Sequence, residues 1–332
     1  MTITAPRSLP GRRSGRRSGG RSGGRSGPRG GRSLRRRGPL ATHRWYATPW
    51  LFLLPALTVI VLMVLVPFVN TLQLAFTDST LLRTGGFVGA ENFRRMFADE
   101  RFTTALLNST LYTVCVVPVM VVLPLMLAVL VSSVERLAGF FRTTMYLPVV
   151  MSPVVVGLIW TNMLDKKGLV NEVAATLRIA SAPFPFLSDR WLLLFSAMFV
   201  TVWMGLGYYM VIYLAALVNI DRSLYDAAAV DGAGTVRTFL DVTVPGVRST
   251  MALVAVLSSV AAFRVFGEIY VLTNGTGGVG GGDLTMTMLI QREGTGLQAR
   301  TGYAGAISLV MFVILGGLLL AQLAMQRKQR NV

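Results

Sequence analysis

The sequence predicts an all-α integral membrane protein with six transmembrane helices, and three observations lead there. Of its 332 residues, 53% are hydrophobic and only 14% are charged, whereas soluble domains are about 25% charged. Apolar stretches long enough to cross ~30 Å of hydrocarbon fall at about 49–70, 104–131, 143–164, 191–219, 250–272 and 303–325, five of them without a charge. The segments between them are short, so no sizeable soluble domain is expected.

Taken in order, residues 1–44 come first. They hold thirteen of the 32 basic residues and no acidic one, so a formal net charge of +17 shrinks to +4 beyond them. This Arg/Gly/Ser tract has nothing apolar to offset the entropy of ordering and reads as a disordered cytoplasmic tail. A polybasic segment beside a span is drawn to anionic lipid, which makes membrane lipid its expected partner. Base stacking would use interleaved aromatics, which the tail lacks, so no nucleic acid is expected. The first apolar stretch is too long for a cleaved signal peptide and has no small-residue cleavage site.

The spans follow as one membrane unit, residues 45–326, closed by a basic C-terminus at 327–332. Pro55, Pro118, Pro124 and Pro153 lie inside spans, where packing against neighbouring helices can tolerate them. Both tails are basic, the second through Arg327, Lys328 and Arg330. An even number of spans then places both termini in the cytoplasm. Outward loops are expected at 77–103, 165–190 and 273–302.

The cytoplasmic segment 221–245 is unusually patterned for a connection between spans four and five. Ser223 with Asp226 three residues on is a capping pattern for a helix start. Ala227 and Ala228 favour the helix, and Gly232 can take the left-handed conformation that ends it. A second helix is expected at about 235–243, with Val236, Phe239, Leu240 and Val242 at helical spacing and Pro245 as its stop. A helix built on alanines can lie deep in a partner's groove, because little side chain holds the backbones apart.

Two charges sit within span five. Arg264 lies ~12 Å deep at 1.5 Å per residue, and an unpaired charge near mid-bilayer costs on the order of 3 kcal/mol on insertion scales. Glu268, at i+4, would share its helical face and can pair with it. The pair is a candidate for a polar substrate pathway, joined by Trp203, Tyr208 and Tyr209 on span four.

Other chemistry is excluded by composition. The single Cys115 and the single His43 fit no metal or redox spacing. No phosphate-loop motif occurs, so the chain is expected to bind no cofactor and hydrolyse no ATP itself. Gly275, Gly277 and Gly280 formally match a dinucleotide fingerprint but follow a span rather than a strand, and read as a flexible loop. Asn108 and Asn274 head glycosylation sequons with no expected use. Only Glu268 could serve as an intramembrane coupling carboxylate, which argues against a self-sufficient secondary carrier.

The cytoplasmic segment also carries a resemblance. Asp226-Ala227-Ala228, then Asp231-Gly232-Ala233, then "VTVP" is similar to the "EAA" loop of ABC importer permeases. Asp226 stands for the family's glutamate, Val242 for its isoleucine and Val244 for its leucine. "GAENFRRMFADERFTTALLNSTLYTV", "FRTTMYLPVVMSPVVVGLIWTNML" and "FRVFGEIYVLTNGTGG" resemble segments of sugar-importer permeases of the carbohydrate uptake type 1 family, in particular the first of two permease partners. Gly267 departs from that pattern, where an acidic residue is usual. The resemblance covers about residues 50–325. It implies a type I importer permease of the bacterial cytoplasmic membrane whose coupling helix docks on an ABC ATPase dimer. Asp226, Ala227, Ala228, Asp231, Gly232, Phe239 and Pro245 would form the docking element. It also implies a second permease, an extracytoplasmic solute-binding protein and a sugar substrate, with ATP and Mg held by the partner ATPase. Polyamine, phosphate and peptide importers are the nearest alternatives.

Overall fold

A computed structural model describes residues 47–133, 138–179, 182–296 and 299–330. The basic tail 1–44 therefore lies outside the described residues. The chain divides into two compact units, residues 1–55 and 56–332. In the first, residues 47–55 are the opening turns of α1 (Ala47–Ile60), whose Pro55 sits inside the helix.

In the second unit the helix continues through a π segment, Val61–Leu65, into α2 (Val66–Leu74). Short α3 (Glu91–Phe97) precedes α4 (Glu100–Ser132), a helix that carries Pro118 and Pro124 in its interior. Next come α5 (Ala138–Val150), α6 (Pro153–Leu164), α7 (Leu169–Thr176) and α8 (Arg190–Leu217). The loop between spans four and five holds α9 (Arg222–Val230), α10 (Thr235–Thr238), a π segment Phe239–Thr243 and α11 (Val244–Gly246). The chain then forms α12 (Arg248–Phe263), α13 (Gly267–Leu272), α14 (Met286–Gly294) and α15 (Thr301–Arg330). Among the described residues the regular elements are all helices, and one isolated bridge joins Thr77 and Phe87.

Among the described residues, five helices are long and apolar enough to cross a membrane, or six if a bent pair counts as one. That pair is the expected third span, and here the structure departs from the sequence expectation of one continuous helix. The stretches Gly139–Val150 and Pro153–Thr176 meet at 97°. Ser152 is extended (ψ 133°) ahead of Pro153, because the proline ring disfavours the helical conformation of the residue before it. The fifth span is interrupted as well: α12 ends at Phe263 and α13 begins at Gly267. The break leaves the Val265 carbonyl free of the helix ladder, and the Thr285 hydroxyl donates to it at 3.0 Å. A backbone acceptor inside a membrane needs such a partner.

The core forms where α4 packs on α8 and α12. Tyr112 is fully buried and its hydroxyl donates to the Ala197 carbonyl at 2.8 Å, while Tyr213 reaches the Val121 carbonyl at 2.9 Å. Small residues permit the closest crossings, as expected where packing rather than water drives helix association. A methyl on Gly207 of α8 would collide with the Met145 carbonyl of α5, and one on Gly157 of α6 would press into the Val271 side chain of α13.

Candidate coupling loop and membrane cavity

The loop between spans four and five is a helix, a glycine corner and a second helical run. Its N-cap differs from the one expected. Asp221, not Ser223 with Asp226, caps α9: its carboxylate accepts from the Ser223 backbone N–H at 2.9 Å. That hydrogen bond, which satisfies an otherwise orphaned helix donor, holds the Asp221 carboxyl below the usual carboxylate range. Asp226 lies one turn further in, exposed beside Ala227, while Ala228 is half-buried.

At the other end of α9 the corner forms as the glycine suggested. Gly232 has φ +71°. The Gly232 N–H donates to Ala229 at 3.1 Å and the Ala233 N–H to Ala228 at 2.9 Å, the paired bonds of a Schellman close. Asp231 is the residue just before the turn and is exposed. The second run extends beyond the expected 235–243. Pro245 does not stop it but lies within α11, and the turn falls at Val247. The π segment sits directly before Pro245, whose missing N–H and bulky ring exclude an ordinary i→i−4 bond there. Tyr225 and Thr243 hydroxyls meet at 3.1 Å and tie the two runs together.

The arrangement leaves apolar side chains facing out. Val230 is 88% exposed, Val236 73% and Leu240 55%, although each sits on a regular helical element. Phe239 is half-buried and lines, with Tyr225, Ala229 and the Met126 and Leu130 side chains of α4, a groove of about 1010 Å³. Tyr225 and Asp221 were not among the residues read from the sequence, although an aspartate at a helix entrance is itself a capping signal.

The second candidate site is a cavity of about 250 Å³ within the bundle. Tyr208 and Tyr209 of α8 and Glu268 of α13 line it together, with Thr201, Ser258 and Met120. Five polar side chains thus converge on a mainly apolar chamber, the usual anatomy of a small-ligand site. Thr201 and Ser258 were missed by the sequence reading, since single hydroxyls in apolar runs carry no periodic signal.

Two expected members lie elsewhere. Trp203 packs edge-on against Trp160 with ring centroids 5.6 Å apart and does not line the cavity. Arg264 is exposed at the C-cap of α12, and among the ion pairs of the described residues none joins it to Glu268. The i, i+4 pairing presumed one continuous helix, and the interruption at 264–266 removes that premise. Asn108 is buried and donates to the Gly282 and Leu284 carbonyls at 2.8 and 2.9 Å. The glycine fingerprint at 275–280 forms a loop of left-handed glycines, with φ between +65° and +78° at Gly275, Gly277 and Gly280.

Long apolar helices surround a small cavity and are joined by a loop that displays apolar side chains, an architecture suited to a membrane component of a transport system. Residues 86–330 match the family described as binding-protein-dependent transport system inner membrane component, and the chain belongs to that family. It is 30% identical over 283 residues to the lactose transport system permease protein LacF of Rhizobium radiobacter, covering 85% of this chain and 94% of that one. It is 31% identical over 275 residues to the diacetylchitobiose uptake system permease protein NgcF of Streptomyces coelicolor, covering 79% and 77%. A chain from the crystal structure of a bacterial ABC transporter involved in import of the acidic polysaccharide alginate shares the fold. Its TM-score is 0.74 at 24% identity, over 84% of this chain and 95% of that one.

Proposed function

We propose that the chain is the sugar-translocating permease subunit of a binding-protein-dependent ABC importer, working as a heterodimer with a second permease. An ATPase dimer sits on the cytoplasmic side and holds ATP and Mg, and a solute-binding protein delivers sugar from outside. Both termini are cytoplasmic in this reading, in a bacterial cytoplasmic membrane, and the basic tail holds anionic lipid. The relatives named for lactose and diacetylchitobiose transport support the sugar class.

The observation that carries the mechanism is the capped, glycine-cornered loop with exposed Val230, Val236 and Leu240. Apolar side chains on a rigid polar-flanked element are suited to docking in a groove. Asp226, Ala227, Ala228, Asp231 and Gly232 form one side of this element, and Phe239 and Pro245 the other. Closure of the ATPase dimer on ATP would draw the element inward and rock the spans, and hydrolysis would reset it. Purifying the tagged protein in mild detergent tests the assembly. Co-purification of a phosphate-loop ATPase and a second six-span chain is expected; a chain recovered alone that transports in liposomes without ATP overturns it.

The cavity makes a second prediction. Glu268→Ala should lower uptake about tenfold or more, equivalent to at least ~1.4 kcal/mol of lost interaction, with assembly unchanged. Trp203→Phe, outside the cavity, should leave uptake within about twofold. Equal losses in radiolabelled-sugar uptake would remove the cavity from the pathway.

A further inference from the structure

The loop after the fifth span holds a carboxyl that the transport reading does not use. Asp283 is fully buried, and neither of its oxygens has a hydrogen-bond partner among the described residues. The chain before it passes through Gly277, Gly278, Gly280 and Gly281, all at positive φ, and Gly278 packs so closely on the Asp283 Oδ2 that no side chain fits there. The chain on either side of it is pinned. Asn108 of α4 donates to the Gly282 and Leu284 carbonyls, and Thr285 donates to Val265 in the break of span five. A glycine strap thus closes over the interrupted helix with an unpaired acid at its centre.

A carboxylate in that position would lack both water and donors, whereas a protonated acid avoids most of the cost. Burial pushes the Asp283 carboxyl up to about 7, with Arg190 drawing it down and Asp189 pushing it up. The charged groups around the strap are few. From α8 come Asp189 and Arg190, the latter with its Cδ 3.3 Å from where a side chain on Gly282 would begin. From α14 comes Arg292, at 3.9 Å from the same point on Gly281. At the break itself Glu268 lines the cavity instead. No ion pair within the described residues engages Asp283, so a cation stands near the acid without meeting it.

We propose that Asp283 is the proton-binding site of a latch: protonated, it keeps the strap 277–284 folded over the break in span five, and ionised, it swings out to pair with Arg190. The proton passes to bulk water, and the left-handed glycines supply the joints. The sign follows from the raised affinity: the closed strap binds the proton more tightly than an open one. Closure is therefore strongest at low pH and weakens as pH rises toward and through the closed-state value. That the latch faces outward rests on the orientation proposed above; the latch itself does not.

The test uses the full chain in detergent micelles, where both faces are accessible, with Cys115→Ala and Leu284→Cys placed in the buried strap. Maleimide labelling is compared with that of the same chain carrying Asp283→Asn, which shares the thiol's own pH dependence. The ratio of the two rates should rise about tenfold between about pH 6 and pH 8; a ratio independent of pH overturns the latch. Should the amide chain fail to purify, Arg190→Gln replaces it and should move the labelling transition to higher pH, an unmoved midpoint again overturning the proposal. Repeating the labelling in right-side-out and inverted vesicles with an impermeant maleimide separates the two readings. A pH-dependent signal confined to inverted vesicles retains the latch and rejects the orientation.

Discussion

Replacing Gly232 by valine is expected to abolish transport-coupled ATP hydrolysis while leaving insertion of the chain into the membrane intact. The position is open, with nothing within 4 Å of where a side chain would begin, so no collision is involved. The effect comes from the backbone. Gly232 has φ +71°, a conformation that costs an ordinary residue ~1–2 kcal/mol and is a genuine outlier for a β-branched one. The chain can relieve that cost by undoing the Schellman bonds from Gly232 and Ala233 to α9, which turns Val230 and Val236 away from their present directions. Docking needs those side chains fixed relative to one another, so the motor and the spans lose their link. Gly232→Asn, which tolerates the left-handed region, should retain much of the coupling. Substrate-stimulated ATPase activity of the reconstituted complex reads both variants, and wild-type stimulation in the valine chain would remove the corner from the docking role.

Gly207→Ala is expected to damage the fold itself rather than its coupling. A single methyl there meets the Met145 carbonyl and the backbone of Tyr146, and backbone cannot turn aside as a flexible side chain can. Overpacking of this kind costs typically ~1–3 kcal/mol, enough to separate α5 from α8. The control is Gly316→Ala on α15, where nothing lies within 4 Å and alanine's better helix propensity gives ~1 kcal/mol. Thermal unfolding in detergent should show a clear drop in Tm for the first and none for the second. Equal melting temperatures would mean that the α5–α8 crossing is looser than described.

What could be read from the sequence divides along physical lines. Apolar runs announce membrane helices because the bilayer imposes their length, and Gly232 announced its corner because few residues accept that backbone. Proline was harder. Pro118 and Pro124 remain inside α4, whereas Pro153 opens a 97° bend, and nothing in the apolar runs around them tells the two outcomes apart. The Arg264–Glu268 pairing failed for a related reason: helical spacing predicts a shared face only where the helix continues, and apolar composition is silent about a three-residue break. Trp203 precedes Tyr208 by five residues, about 140° around a helix of 3.6 residues per turn, and its ring packs on Trp160 instead. The cap at Asp221 was legible but outcompeted by the better-known pattern at Ser223.

The break in the fifth span changes what that span can transmit. A continuous helix is a stiff rod, and a push at one end arrives at the other almost undiminished. Here α12 and α13 are two short struts with a joint at Arg264–Phe266, the first continuing from the second run of the loop between spans four and five and the second leading into the glycine strap. Force entering from one side reaches the joint as rotation and leaves it only as far as the Thr285 tether to Val265 stays taut. Such a linkage is built like a clutch: with the tether made its two ends would travel together, and with it broken they would move independently.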